Sequence, residues 1–442
     1  MYIKRKIDNE LNNWKLESNR KPLLLRGARQ VGKTKTIRQF GKSFDNFVEI
    51  NFEENPQLKV LFDEDLSPDS IIENLSAILK TRILPGQTLL FFDEIQECPK
   101  AIIALRYFYE KLPALHLIAA GSLLEFALEE IPTFGVGRIR SMFMYPLSFF
   151  EFLLGAGESQ LLEIVKHANP SKPINEILHY KLIEILQKFI YIGGMPEIAV
   201  AYFETKDLNK CQQLLNDLII SIQADFTKYK KRVPVSRLNE VFQSVVFQAG
   251  QKFVYSKVST HANHKQLKEA IQLLISAGLV IPVTHSSANG IPLGAEANPL
   301  KQKMLVLDTG IFQRIMNLDL SGFLLSKNFD AINKGNISEQ FAGLEFIKAY
   351  SCYQNPSLYY WHRESRNSNA EVDYILTISN KIVPVEIKSG TKGSMQSLYL
   401  FLKEKKLSKG IRISNENFSV FDSIEVYPLY AIENIVNIIS EG

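Results

Sequence analysis

The stretch Gly27-Ala28-Arg29-Gln30-Val31-Gly32-Lys33-Thr34 has the spacing GxxxxGK[ST] and follows directly on the short apolar run Pro22-Leu23-Leu24-Leu25. A buried strand that runs into a glycine-bearing bend and then a helix is the arrangement that cradles phosphate. The glycines let successive backbone N–H groups converge on a β-phosphate, a lysine reaches the β- and γ-phosphates, and a Ser or Thr hydroxyl ligates Mg²⁺. Lys33 and Thr34 take those last two roles here, while Ala28, Arg29, Gln30 and Val31 supply the bend. The helix expected to open at Lys33 adds the positive end of its dipole. The competing reading, an ordinary glycine turn before a helix, would need no second motif.

A second motif is present. Thr88-Leu89-Leu90-Phe91-Phe92-Asp93-Glu94 reads as a buried strand ending in two acids. Asp93 at the strand tip is placed to hold Mg²⁺ directly or through water, and Glu94 to orient or deprotonate an attacking water. Either acid alone would mean little, because an apolar strand ending in Asp-Glu is common at sheet edges. Behind a phosphate loop, the pair completes a nucleotide site.

With 442 residues, the chain exceeds what one hydrophobic core organises, so several domains are expected, and the 46% apolar content suits ordered ones. The opening Met1-Tyr2-Ile3-Lys4-Arg5-Lys6-Ile7-Asp8 is basic but lacks the apolar stretch of a signal peptide. The apolar run 273–283 contains Ser276 and Gly278 and is too short for a bilayer. Cytoplasmic placement with no membrane association is the expectation. Cys98, Cys211 and Cys352 are scattered, which argues against a disulfide framework or a zinc site. A net charge of +4 decides nothing about partners until its distribution is read.

Between residues 21 and 155 the runs 23–26, 47–52, 88–92, 115–120 and 142–145 alternate with helical patterns, the signature of a parallel sheet covered on both faces. The runs GARQVGKT, FFDEIQECP, AAGSLLEF and GRIRSMFMYPLSFFEFL resemble a bacterial and archaeal AAA+ ATPase family whose core is followed by a poorly characterised C-terminal region. The likeness extends over nearly the whole chain, since Tyr191-Ile192-Gly193-Gly194-Met195-Pro196-Glu197 is similar to a motif just behind that core. The resemblance implies ATP as the nucleotide, Ser122 at the position that senses the γ-phosphate, Arg138 or Arg140 as an arginine finger on a neighbouring subunit, and hence a homo-oligomer.

Residues 156–232 read as a helical lid or connector, broken by Gly193-Gly194 and Pro196. The tract 228–268 is strongly basic: Lys228, Lys230, Lys231, Arg232, Arg237, Lys252, Lys257, Lys265 and Lys268 face the lone carboxylate Glu240. Helices around 237–249, 256–262 and 264–277, then a hairpin formed by 279–283, a turn at 287–290 and 304–307, make a winged helix over 233–326 that would contact double-stranded DNA. The bland alternative is a winged helix used as a protein-protein brace.

After a Ser/Asn/Gly-containing segment near 327–336, the tail carries Glu339 on a helix, Asp373 on a strand and Glu386-Ile387-Lys388 on the next. That order resembles nucleases of the PD-(D/E)xK class. Alternation places Glu386 and Lys388 on one face, and pairing the strands would converge Asp373 and Glu386 on one metal, with Lys388 beside a water and Gln396 as a further group. The ExK spacing alone is worthless, because Glu204 with Lys206 and Glu404 with Lys406 share it.

The fold class is therefore α/β: a P-loop AAA+ parallel-sheet core (1–155), a helical connector (156–232), a winged-helix domain (233–326) and a restriction-endonuclease-like α/β domain (327–442). The function expected is Mg²⁺-dependent ATP hydrolysis coupled to DNA. The alternative is a nucleotide-dependent protein-interaction switch with an inactive nuclease-like scaffold.

Overall fold

The computed structural model describes residues 1–63, 65–122, 124–131, 137–229, 232–259, 263–318, 335–364, 369–388 and 395–440. They gather into two compact units. The first holds residues 1–146 with the short segments 276–278 and 352–355, and the second holds the remainder.

The first unit is built on five parallel strands in the order β2-β3-β4-β1-β5: β1 (Leu23–Arg26), β2 (Asn46–Asn51), β3 (Thr88–Asp93), β4 (His116–Ala120) and β5 (Arg140–Phe143). Every residue of β3 and β4 is buried. This is why their sequences are unbroken apolar runs and do not alternate: a parallel sheet is covered on both faces. Helices α1 (Lys6–Leu16), α2 (Lys33–Gly41), α3 (Pro68–Leu79), α4 (Pro99–Lys111) and α5 (Leu124–Glu130) accompany it. One face is sealed by Phe52, Phe62, Phe92 and Phe108, which meet largely edge to face.

The chain leaves this unit earlier than residue 155. Leu147 N–H donates to Gly194 O at 2.7 Å and Phe149 N–H to Glu345 Oε2 at 2.9 Å, so α6 (Phe149–Gly155) is tied into the second unit. There follow α7 (Ser159–Lys166), α8 (Glu176–Ile192), α9 (Pro196–Thr205), α10 (Leu208–Asp225), α11 (Val235–Phe247) and α12 (His264–Ser276).

The hairpin expected near 279–307 forms as β6 (Val280–Ser286) and β7 (Ala297–Val306), but it does not stand as a separate wing. It is the edge of an eight-stranded sheet ordered β12-β13-β11-β10-β9-β8-β6-β7, completed by β8 (Leu358–His362), β9 (Glu371–Ile378), β10 (Lys381–Ile387), β11 (Gly410–Ser414), β12 (Ser419–Phe421) and β13 (Ile424–Pro428). β6 pairs in parallel with β8 through Val283↔Leu358 and Thr284↔Tyr359. The segments read as 233–326 and 327–442 thus share one sheet. Helices α13 (Thr309–Ile315), α14 (Asn336–Ala349), α15 (Gln396–Lys405) and α16 (Ile432–Ser440) complete the unit. Lys230, Lys231, the end of the short helix expected at 256–262 and most of the segment 327–336 lie outside the described residues. No helix among the described residues is long and apolar enough to cross a membrane.

Candidate functional site

The phosphate loop leaves the C-terminal end of β1 and enters α2 at Lys33. Three of its residues take positive φ: Gly27 at 142°, Gln30 at 63° and Gly32 at 97°. Gly27 has a second reason to be glycine, since a Cβ there would lie 2.1 Å from Met144 O. Ala28 and Val31 are buried, Arg29 is half-buried and Gln30 is exposed. Arg5, which sequence reasoning treated only as part of a basic start, is buried against the loop. Its Nη1 donates to Val31 O at 3.1 Å and its Nη2 to Tyr145 O at 2.7 Å. Charge alone did not single it out, because Lys4 and Lys6 flank it.

Lys33 Nζ donates to Gly27 O at 2.8 Å and Ala28 O at 2.7 Å, closing the loop on itself. Burial lowers its pKa to about 8, and the carboxylates of Glu94 and Asp93 oppose that fall. Thr34 Oγ1 donates to Asp93 Oδ2 at 2.9 Å, so the two residues expected at Mg²⁺ do meet. A hydroxyl beside a carboxylate is the hard oxygen donor set that Mg²⁺ takes alongside nucleotide phosphates, and these residues fit the ion. Burial pushes Asp93 up to about 6, against the Thr34 hydrogen bond.

Glu94 sits in the left-handed region at φ 48°, which turns its side chain out of the strand. Its Oε2 accepts from Gln96 Nε2 at 2.6 Å and from Ser122 Oγ at 3.2 Å. The acid past β3 and the serine past β4 are thereby joined. Gln96 was given no role in the sequence, although it stands two residues beyond Glu94. Gly121 makes room for it, since a Cβ there would lie 2.1 Å from Gln96 Oε1.

The two candidate arginines are engaged elsewhere in their own chain. Arg138 pairs with Glu110 at the surface, and Arg140 Nη1 lies 2.5 Å from Glu17 Oε1. Arg140 pairs with Leu23, at the strand end opposite the one from which the phosphate loop departs.

In the second unit, Asp373 and Glu386 come from antiparallel neighbours β9 and β10, whose register runs from Lys381↔Ile378 to Val385↔Tyr374. The connecting Ser379-Asn380 both take positive φ, as a tight hairpin turn requires. Ile387 N–H donates to Asp373 Oδ2 at 2.8 Å, and Lys388 Nζ lies 2.6 Å from Glu386 Oε1. Gln396 opens α15 as an exposed residue.

Sequence reasoning missed the centre of this cluster. Lys303 of β7 is 1% exposed. Its Nζ lies 2.7 Å from Glu339 Oε1, 2.5 Å from Glu371 Oε1 and 3.8 Å from Asp373 Oδ1. Burial pulls the Lys303 pKa down, but Glu339, Asp373 and Glu371 outweigh it and hold it well above the ordinary value. Burial pushes the carboxyls of Glu339 and Glu386 up. These directions compete at the Lys303–Glu339 contact, which is best described as ammonium with carboxylate, because an uncharged amine would leave Glu371 and Asp373 without a counter-charge. The metal expected at Asp373 and Glu386 does not fit this arrangement. Asp373 is committed to Lys303 and the Ile387 amide, and Glu386 Oε1 to Lys388, leaving Glu386 Oε2 as the buried oxygen without a partner. Among the described residues, no three His, Cys, Asp or Glu side chains group so as to hold a metal ion.

Residues 19–153 match the family model described as an AAA domain, a stretch that takes in the five-stranded sheet and runs on into α6. Residues 183–321 and 334–432 match models described as Domain of unknown function (DUF8612) and Domain of unknown function (DUF4143). The chain is 25% identical over 385 residues to the uncharacterized protein MJ1544 of Methanocaldococcus jannaschii, covering 86% of this chain and 77% of that protein. Among solved structures it is similar to the Walker-type ATPase PABY2304 of Pyrococcus abyssi, with a TM-score of 0.45 and 15% identity over 71% of this chain and 96% of that one. It is also similar to the Aeropyrum pernix Orc1 protein in complex with DNA, with a TM-score of 0.29 and 11% identity over 73% and 95%.

Proposed function

We propose that the first unit hydrolyses ATP with Mg²⁺ and that the second contacts double-stranded DNA. The observation that carries the first half is the 2.9 Å meeting of Thr34 with Asp93 beside the loop that Lys33 closes. Mg²⁺ held there would neutralise charge on the β- and γ-phosphates. The loop amides at the start of α2 bind phosphate oxygens, and Lys33 exchanges the carbonyls of Gly27 and Ala28 for the β- and γ-phosphates. Glu94 accepts a proton from water as the water oxygen bonds to the γ-phosphorus and the bond to the ADP oxygen breaks. Ser122 and Gln96 hold the Glu94 carboxylate in place for that transfer. Arg138 or Arg140 serves a neighbouring copy, for which it exchanges its carboxylate partner for phosphate.

Support for DNA contact comes from α12. Leu267, Ala270, Ile271, Leu273 and Leu274 are buried, while Lys265 and Lys268 stand exposed on the other face, and Lys252 and Lys257 are exposed just before it. Such cations bind phosphate in a salt-dependent manner. A second reading, with the second unit as a scaffold for a protein partner, draws on Lys303 filling the carboxylate cluster.

The deciding experiment is ATP turnover by the full chain with and without Mg²⁺. Turnover that needs Mg²⁺ and falls by at least about 100-fold in Lys33→Ala is expected. Wild-type protein that neither binds nor hydrolyses ATP would overturn the reading. A gel-shift series against salt tests the DNA half, and no salt-sensitive binding would select the protein-partner reading.

A further inference from the structure

Lys303 begins the buried part of β7, where the exposed stretch gives way to Lys303-Met304-Leu305-Val306. Residues two apart on a strand share a face. Lys303 therefore points the same way as Leu305, whose side chain lies against Gly343 of α14. Among carboxylates on that face, Glu339 comes from α14 and Glu371 and Asp373 from β9. An ammonium this deeply buried is tolerated only where carboxylates surround it.

We propose that Lys303 is the resident cation of this cluster: its ammonium occupies the space between Glu339, Glu371 and Asp373 that a divalent ion would need, so the cluster takes no divalent ion while Lys303 is in place. The geometry shows what the lysine displaces. Asp373 Oδ1 faces Nζ at 3.8 Å while Oδ2 accepts the Ile387 amide, and Glu386 Oε1 is drawn to Lys388. One oxygen, Glu386 Oε2, is buried and unpartnered, while the oxygens named beside it are held by Lys303, Lys388 and the Ile387 amide. A divalent ion needs several such oxygens together, and six is the usual number for Mg²⁺ with water included. The chain thus groups acidic residues as a nuclease-like site would while supplying their counter-charge from a lysine side chain on β7. Removing the lysine should create a metal site.

The test is Mn²⁺ binding by the full chain, by calorimetry and by electron paramagnetic resonance of free Mn²⁺, with no nucleotide present so that the ATPase reading is not at stake. Wild type and Asp373→Asn are expected to bind the same amount of Mn²⁺, because neither has an open site in the cluster. Lys303→Met is expected to bind one Mn²⁺ more than wild type, to gain thermal stability from the ion, and to lose both on adding Asp373→Asn. Wild type that binds one Mn²⁺ more than Asp373→Asn overturns the proposal, as does a folded Lys303→Met that gains none. Should Lys303→Met fail to fold, the wild-type and Asp373→Asn pair alone decides: equal binding supports it and unequal binding overturns it.

Discussion

Ser122 Oγ lies 3.2 Å from Glu94 Oε2, linking the residue beyond β4 to the acid beyond β3. Glu94 leaves its strand in the left-handed region, so its carboxylate is positioned by side-chain partners, and Gln96 at 2.6 Å is the other one.

The two residues should separate in kinetics. Glu94→Gln removes the proton acceptor but keeps the shape, so hydrolysis should fall by about 10²- to 10⁴-fold while ATP binding holds. Ser122→Ala leaves the acid in place and removes one of its two hydrogen bonds, so kcat should fall by only about tenfold, corresponding to about 1.4 kcal/mol. Single-turnover hydrolysis beside equilibrium ATP binding measures both. A Ser122→Ala enzyme as slow as Glu94→Gln would mean that Ser122 touches the reacting phosphate itself.

Gly27→Ala should cost more than a positive φ explains. At Gly27 a Cβ would lie 2.1 Å from the backbone oxygen of Met144, and that oxygen cannot swing aside as a side chain could. At Gly86, with φ +83°, nothing stands within 4 Å. Gly86→Ala should therefore lose about 1 kcal/mol, the backbone term, and Gly27→Ala about 3 kcal/mol or more. Urea unfolding of the two variants compares them, and ATP affinity should drop in Gly27→Ala only.

The first unit was legible because its chemistry is local. Gly27 to Thr34 is one contiguous bend, Asp93 and Glu94 end one apolar run, and parallel strands buried on both faces leave unbroken apolar sequence. Lys303 was not legible. It lies far from Glu339 and Asp373 in sequence, and what brings it to them is the pairing of β6 with β8, two strands between which the chain passes through β7, α13 and α14. Arg5 escaped for a similar reason, since a buried arginine looks like its exposed neighbours until Val31 O is found against it. The hairpin was anticipated as two strands and a turn, but periodicity carries no information on whether such an edge pairs further.

Asp308 and the Gly193-Gly194 break form one device. The fully buried Asp308 carboxylate accepts from Gly194 N–H at 2.6 Å and caps α13 through Gly310 N–H at 2.9 Å and Ile311 N–H at 3.1 Å. Gly193 takes φ 77° and ψ −177°, a region for glycine, and a Cβ there would lie 2.0 Å from Asp308 Oδ1. Asp308→Ala should destabilise the second unit by about 3 kcal/mol, from a lost cap and a buried unpaired N–H. Gly193→Ala should cost a similar amount, about 3 kcal/mol. The double variant should cost less than the sum, because removing the carboxylate relieves the clash and leaves only the backbone strain. Strict additivity in chemical unfolding would show that the two positions do not act on each other.

Acid should weaken the first unit through His116. The ring is 3% exposed, packs edge-on against Trp14 and Phe44, and Nε2 lies 3.3 Å from Lys15 O. Burial lowers its pKa from 6.5 to about 4, and the nearby charge of Arg20 adds to the fall. In the unfolded chain His116 takes up its proton near pH 6.5, whereas in the folded chain it does so only near about 4. Between those values the unfolded state binds more protons, so stability rises with pH across that window. The contribution is complete above pH 6.5 and is lost progressively as pH falls toward about 4. His116→Gln removes the titrating group while keeping an amide to face Lys15 O. Its unfolding midpoint should be lower than wild type at neutral pH yet change less between pH 6.5 and about 4. Parallel acid limbs for the two proteins in urea titrations at several pH values would assign the acid sensitivity to other groups.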